Sequence, residues 1–178
     1  MLNQAASPAA LSHSPRPKSA RAPLYTPQER ARRDASVWTL VQGLLAPLQF
    51  LVFLVSLGLV IRFLLTGQGE QAAALSVLIK TLTLYTIMVT GCIWEKVVFD
   101  RWLFAPAFYW EDLFSMLVLA LHTAYVVAWY TGWLSTHQQM WLALAAYASY
   151  AINATQFILK LRAARLDHAA SLAPGAAA

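Results

Sequence analysis

The chain has 178 residues, 59% of them hydrophobic and only 12% charged, with a mean hydropathy of +0.52. An average soluble domain carries about 25% charged residues, so this composition excludes a disordered protein, a basic nucleic-acid-binding tail and an ordinary cytosolic enzyme. The net charge is +5, but six of the 13 Lys and Arg residues precede Asp34, so the basic excess belongs to the N-terminus and calls for no nucleic-acid partner.

Residues 1–24 are rich in Ala, Ser, Pro and Arg and have no apolar period, which reads as a disordered arm. No apolar stretch follows the early charges, so the arm is not read as a secretory signal. Order is expected to begin at Tyr25. Thr26-Pro27-Gln28-Glu29 has the form of a capping box with proline at the first helical position. The short helix it opens carries Arg30, Arg32 and Arg33 and suits a membrane surface, where each cation near anionic headgroups contributes about 1 kcal/mol.

Four apolar stretches follow, near 38–65, 72–94, 110–133 and 139–161. Each meets the requirement of about 20 residues for crossing a bilayer. Short connections make neighbours antiparallel, and tryptophans such as Trp38, Trp94, Trp110 and Trp133 mark the ends. The expected fold is therefore an all-α integral membrane four-helix bundle with a short N-terminal interfacial helix. Residues 25–166 form its single membrane domain, and 167–178 read as a disordered tail. Lys96 and Arg101 in the middle loop and Lys160, Arg162 and Arg165 at the C-terminal end join the N-terminal cations on one side. The positive-inside rule makes that side cytoplasmic, with both termini.

Polar residues inside a span are candidates for function. In the third span Glu111, Ser115, Val118, His122, Tyr125 and Trp129 recur at steps of four and three, hence on one face. Ser149, Asn153, Gln156 and Lys160 do the same in the fourth, and Trp38, Gln42, Gln49 and Ser56 in the first, where Pro47 is expected to kink the helix. His122 either bonds a neighbouring helix or binds a ligand. Gln42 and Gln49 read as interhelical glue, and Asn153 and Gln156 as glue or ligand contacts. Lys80, a third of the way into the second span, calls for a partner inside the bundle or an anionic ligand.

The densest chemistry lies between the second and third spans, in GCIWEKVVFDRWLFAPAFYWEDLFSM. Glu95, Asp100, Glu111 and Asp112 stand there with Lys96 and Arg101 among eight aromatic residues. A carboxyl in so dry a place can remain a proton donor. Asp100 and Arg101 read as a solvated rim, whereas Glu95, Glu111 and Asp112 have apolar flanks. The chain has no phosphate-binding glycine loop, dinucleotide fingerprint, HExxH or nucleophile elbow. With one cysteine, Cys92, and one intramembrane histidine, no metal site of its own is expected, although His122 could be the axial ligand of a metal already held by a macrocycle.

The stretch from YTPQERARRDASVWTLVQGLLAPLQFLVFLVSL through IWEK, FAPAFYWEDLFSML and LALHTAY to YAINATQFILKLRAARL resembles the 3-vinyl bacteriochlorophyllide hydratase family over nearly all of Tyr25–Leu166. The resemblance implies a lyase of bacteriochlorophyll synthesis in the inner or intracytoplasmic membrane of phototrophic bacteria. It would add water to the ring-A vinyl group of chlorophyllide a or 3-vinyl bacteriochlorophyllide a, with other enzymes of the pathway as partners. Such chemistry needs an acid, a positioned water with a base, and a dry site, but no added cofactor; the magnesium belongs to the substrate. On this reading Glu111 is the preferred acid, Asp112 orients a neighbour or activates water, and Glu95 is the alternative acid or base. His122 is the candidate magnesium ligand. Lys96 and Arg101 would pair with the propionate. Trp94, Tyr109 and Trp110 would supply aromatic surface. Ser115, Asn153, Gln156 and Lys80 would line the site. The competing reading is a non-enzymatic tetrapyrrole carrier or assembly factor, which has no use for several buried carboxyls.

Overall fold

The computed structural model describes residues 24–171; the calls for an arm over 1–23 and for a tail beyond Ser171 fall outside the described residues. Five helices follow in order: α1 (Pro27–Ala35), α2 (Val37–Thr66), α3 (Glu70–Phe99), α4 (Tyr109–Thr131) and α5 (Thr136–Ser171). Helices α2 to α5 are each long and apolar enough to cross a membrane, and the described residues contain no strand.

The capping box is formed as read: Thr26 Oγ1 accepts from Glu29 N at 3.2 Å, and Thr26 N donates to the Glu29 carboxylate at 2.8 Å. Ser36, in extended conformation, ends α1 and caps α2, so a single residue turns the chain from the short basic helix into the first span. Leu24, the last residue of the segment read as an arm, already packs against the ordered protein.

Helix ends differ from expectation in two places. α3 continues five residues past Trp94 to Phe99 and stops where Asp100 takes a left-handed conformation, φ 61°, donating its N–H to Lys96 O. Glu95 and Lys96 are thus helical and not part of a loop. α5 runs on to Ser171, so residues 167–171, expected to be disordered, are helical. Helix α2 passes through Pro47 without interruption. Gly67, φ 69°, and Gly132, φ 65°, close α2 and α4 in a conformation that a side chain would strain.

The bundle is two tight antiparallel pairs, α2 with α3 and α4 with α5, joined mainly through α2 and α5. Alanines 73, 128, 143 and 146 are buried where helices meet, because small residues let backbones approach when lipid gives no hydrophobic drive to association. Polar links tie α2 to α3: Gln42 Nε2 donates to Thr90 Oγ1 at 2.8 Å, and Ser56 Oγ meets Ser76 Oγ at 2.7 Å and the Tyr147 hydroxyl of α5 at 2.5 Å. The seam between α3 and α4 is the thin one. Leucines and valines cover the outer faces, as the hydrocarbon requires.

Candidate active site

The 100–108 connection folds back between the ends of α3 and α4. Phe104 takes a left-handed conformation, φ 58°, which turns two successive N–H groups inward. Ala105 N donates to Glu95 Oε2 at 3.2 Å and Phe104 N to Asp112 Oδ2 at 3.0 Å. Both acids are buried, and by accepting from successive N–H groups of one turn they are brought to the same end of the bundle. Glu111, also buried, is served differently: Lys160 Nζ of α5 donates to its Oε2 at 2.6 Å. An ammonium partner requires acceptors only, so Glu111 is engaged in an ion pair between α4 and α5.

Aromatic residues behind this pair pack on one another. Phe108 is buried with its ring centroid 5.7 Å from Trp94, 5.9 Å from Phe99 and 5.8 Å from Phe157, with Lys160 Nζ 5.1 Å from its ring. Tyr25 stacks on Phe99 at 5.8 Å under the Arg33 guanidinium. Burial pushes the Tyr25 phenol above its ordinary range, with Arg33 opposing the shift. Trp94 spends its indole N–H on Thr39 Oγ1 at 2.9 Å. Trp94 is also a wall of this cage. Tyr109 and Trp110, likewise expected to supply aromatic surface, are exposed, Trp110 at 70%.

A groove lies along the thin seam between α3 and α4. It has a volume of about 230 Å³ and is lined by Tyr85, Met88, Val89, Leu119 and Thr123. On α3 the positions 85, 88, 92 and 95 share a face, as do 112, 116, 119 and 123 on α4. The Cys92 thiol lies between groove and acids, within the field of both carboxyls. A bond of 2.8 Å between the Tyr85 hydroxyl and Thr123 Oγ1 closes the far end, about 15 Å from Glu95 along α3. A second groove of about 600 Å³, between α4 and α5, is lined by Trp110, Leu113, Phe114, Leu117 and Gln156. Trp110 and Asp112 are about 200° apart around α4, so this groove does not face the acid pair.

The remaining expected residues divide. Asn153 Nδ2 donates to Ser115 Oγ at 2.7 Å, and Ser115 Oγ donates to Glu111 O, so both stay close to the acids. Lys96 and Arg101 do not: Lys96 pairs with Asp100 at 2.6 Å on the exposed rim, lowering the Asp100 pKa, and Arg101 is exposed. Lys80 is wholly buried, about 22 Å from Glu95 along α3, with Nζ 3.8 Å from the Tyr150 ring centroid. His122 is likewise wholly buried, its Nδ1 2.8 Å from Val118 O and its ring 5.8 Å from Tyr147. Neither groove is lined by His122. Trp129 departs from its stripe and faces outward, with Ala128 buried instead. Lys160 was legible only as one more residue on the stripe of the fourth span. Its pairing with Glu111 needs the crossing of two helices, which spacing within one helix does not reveal.

An all-helical protein with four apolar spans that gathers three buried acids at one end has the make-up of a membrane-embedded enzyme. The family profile described as 2-vinyl bacteriochlorophyllide hydratase matches residues 25–163. A 2-vinyl bacteriochlorophyllide hydratase of Rhodobacter capsulatus is 66% identical over 157 residues, covering 88% of this chain and 91% of the relative. One of Cereibacter sphaeroides is 66% identical over 155 residues, covering 85% and 96%. The chain belongs to the vinyl bacteriochlorophyllide hydratase family; it is a hydro-lyase of bacteriochlorophyll biosynthesis, and the resemblance and the relatives' names differ only in the number given to the vinyl carbon. No solved structure matches it.

Proposed function

We propose that the protein adds water to the 3-vinyl group of chlorophyllide or bacteriochlorophyllide, giving the 3-(1-hydroxyethyl) product, with the Glu95–Asp112 pair as proton source. The observation that carries this reading is the burial of Glu95 and Asp112 together on two successive N–H groups of the 104–105 turn, where two carboxyls can share one proton. The relatives' names supply the vinyl bacteriochlorophyllide as substrate class. The pigment disc would enter between α3 and α4 with its vinyl group toward the pair. The shared proton goes to the terminal vinyl carbon, which becomes a methyl group. The cation forms on the carbon beside the ring and is delocalised into the macrocycle. A water oxygen bonds to that carbon, and the proton it loses returns to the vacated carboxylate, so the pair ends as it began. Glu111, paired with Lys160, would lie near the cation. The groove keeps bulk solvent away from the cation. This chemistry calls on no nicotinamide, flavin or protein-bound metal.

The test is to incubate purified protein with chlorophyllide and follow the hydrated product by absorbance and mass. Glu95→Gln keeps size and hydrogen bonding but removes the transferable proton, so turnover should fall roughly 10²- to 10⁴-fold with pigment still bound. Near-normal turnover in this variant would remove the pair from the mechanism. Binding without conversion by the unsubstituted protein would favour the carrier reading instead.

A further inference from the structure

All four spans send polar side chains to the centre of the bundle, and the protein gives them too few partners. Gln49 of α2, Lys80 of α3, His122 and Tyr125 of α4, and Asn153 of α5 are buried. No protein group hydrogen-bonds either amide atom of Gln49, Lys80 Nζ, His122 Nε2, the Tyr125 hydroxyl or Asn153 Oδ1. Several of these groups lie within reach of one another's charge, Lys80 with His122 and Tyr125 with Tyr147. Neither lipid nor a packed apolar core can satisfy such atoms, and leaving them bare in hydrocarbon is costly.

The mixture of atoms identifies the ligand. His122 donates from Nδ1 to Val118 O, which leaves Nε2 an acceptor in the neutral ring. Gln49 Oε1 and Asn153 Oδ1 are acceptors too, while Lys80 Nζ, Gln49 Nε2 and the Tyr125 hydroxyl donate. An anion would want donors alone and a cation acceptors alone. Water takes both, and a buried water makes about three such bonds. On α4 the inner stripe runs from Tyr125 through His122 and Ser115 to Asp112 at helical steps, about 20 Å in all. Asn153, bonded to Ser115, stands one turn from Asp112 on this line.

We propose that the bundle centre binds a string of ordered water molecules that leads to the Glu95–Asp112 pair and supplies the water consumed in the hydration; the supply role rests on the acid placement proposed above, the binding site does not. The test is X-ray hydroxyl-radical footprinting of the full chain in lipid nanodiscs in ¹⁸O-water. Radicals formed from water oxidise a buried ring only when water sits beside it. Tyr125 and Tyr147 should take up ¹⁸O, whereas Phe50, which faces lipid, should not. Tyr125 as inert as Phe50 would overturn the site. Gln49→Leu should cut both this labelling and kcat, the latter roughly tenfold, with KM for the pigment unchanged. Labelling in the unsubstituted protein with full kcat in Gln49→Leu would overturn the supply role. Glu95→Gln should lose turnover and keep the labelling, which separates a failed acid assignment from a failed water site.

Discussion

Three acids crowd one end of the bundle, and their partners differ. Glu95 and Asp112 each accept from a loop N–H group, whereas Glu111 meets a lysine. A group that already accepts from an ammonium is a poor proton donor, so Glu111→Gln should retain turnover within roughly tenfold of the unsubstituted enzyme while Asp112→Asn falls with Glu95→Gln, roughly 10²-fold or more. Initial rates of product formation on the three variants check this. A collapse confined to Glu111→Gln would return the acid role to the third span's stripe. The sequence made all three acids conspicuous, because a carboxylate flanked by apolar residues near a membrane is rare. It could not rank them. Ranking depends on Lys160, 49 positions further on, and on the left-handed turn at Phe104, where a residue with a side chain takes a conformation that sequence patterns assign to glycine.

At the scale of elements, the number of helices and their membrane-spanning character were legible in full, since a bilayer imposes both length and hydropathy. Helix ends were less so. The run EKVVFD after Trp94 looked like a loop because it is charged, yet α3 carries it as a final turn and a half whose buried face holds Glu95 and Val98. Pairing was not legible: four apolar spans carry little in their own pattern to say which neighbours pack tightly. The thin α3–α4 seam is the result of that pairing, and it gives the groove its test. Leu119→Trp would fill the groove between α3 and α4, and Leu117→Trp the wider one on the other side of α4. Turnover should fall at least roughly tenfold in the first and stay near normal in the second, with assembly of both checked by size-exclusion chromatography in detergent. The reverse pattern would move the pigment to the α4–α5 groove, beside Trp110 and Gln156.

For the whole molecule, Lys and Arg concentrate before Asp34, around the 100–108 connection and near the end of α5, and the positive-inside rule predicts that these three regions face the cytoplasm and the 132–135 turn the opposite side. Reporter fusions after Ala178 and within that turn should read opposite sides, cytoplasmic for the first; the same side for both would break the four-span topology. The cage around Phe108 sits at the cytoplasmic end on this orientation, tying α1, α3, α4 and α5 together through Tyr25, Trp94 and Phe157.

The groove between α3 and α4 opens sideways, with Val89 on its rim 62% exposed to the hydrocarbon. A substrate that arrives through such an opening is never at its bulk concentration when it meets the enzyme; it is at its concentration in the lipid. Its apparent affinity then includes the free energy of partitioning, and the rate follows the number of pigment molecules per lipid. Adding empty vesicles or detergent micelles slows the reaction at constant total pigment, as dilution in two dimensions.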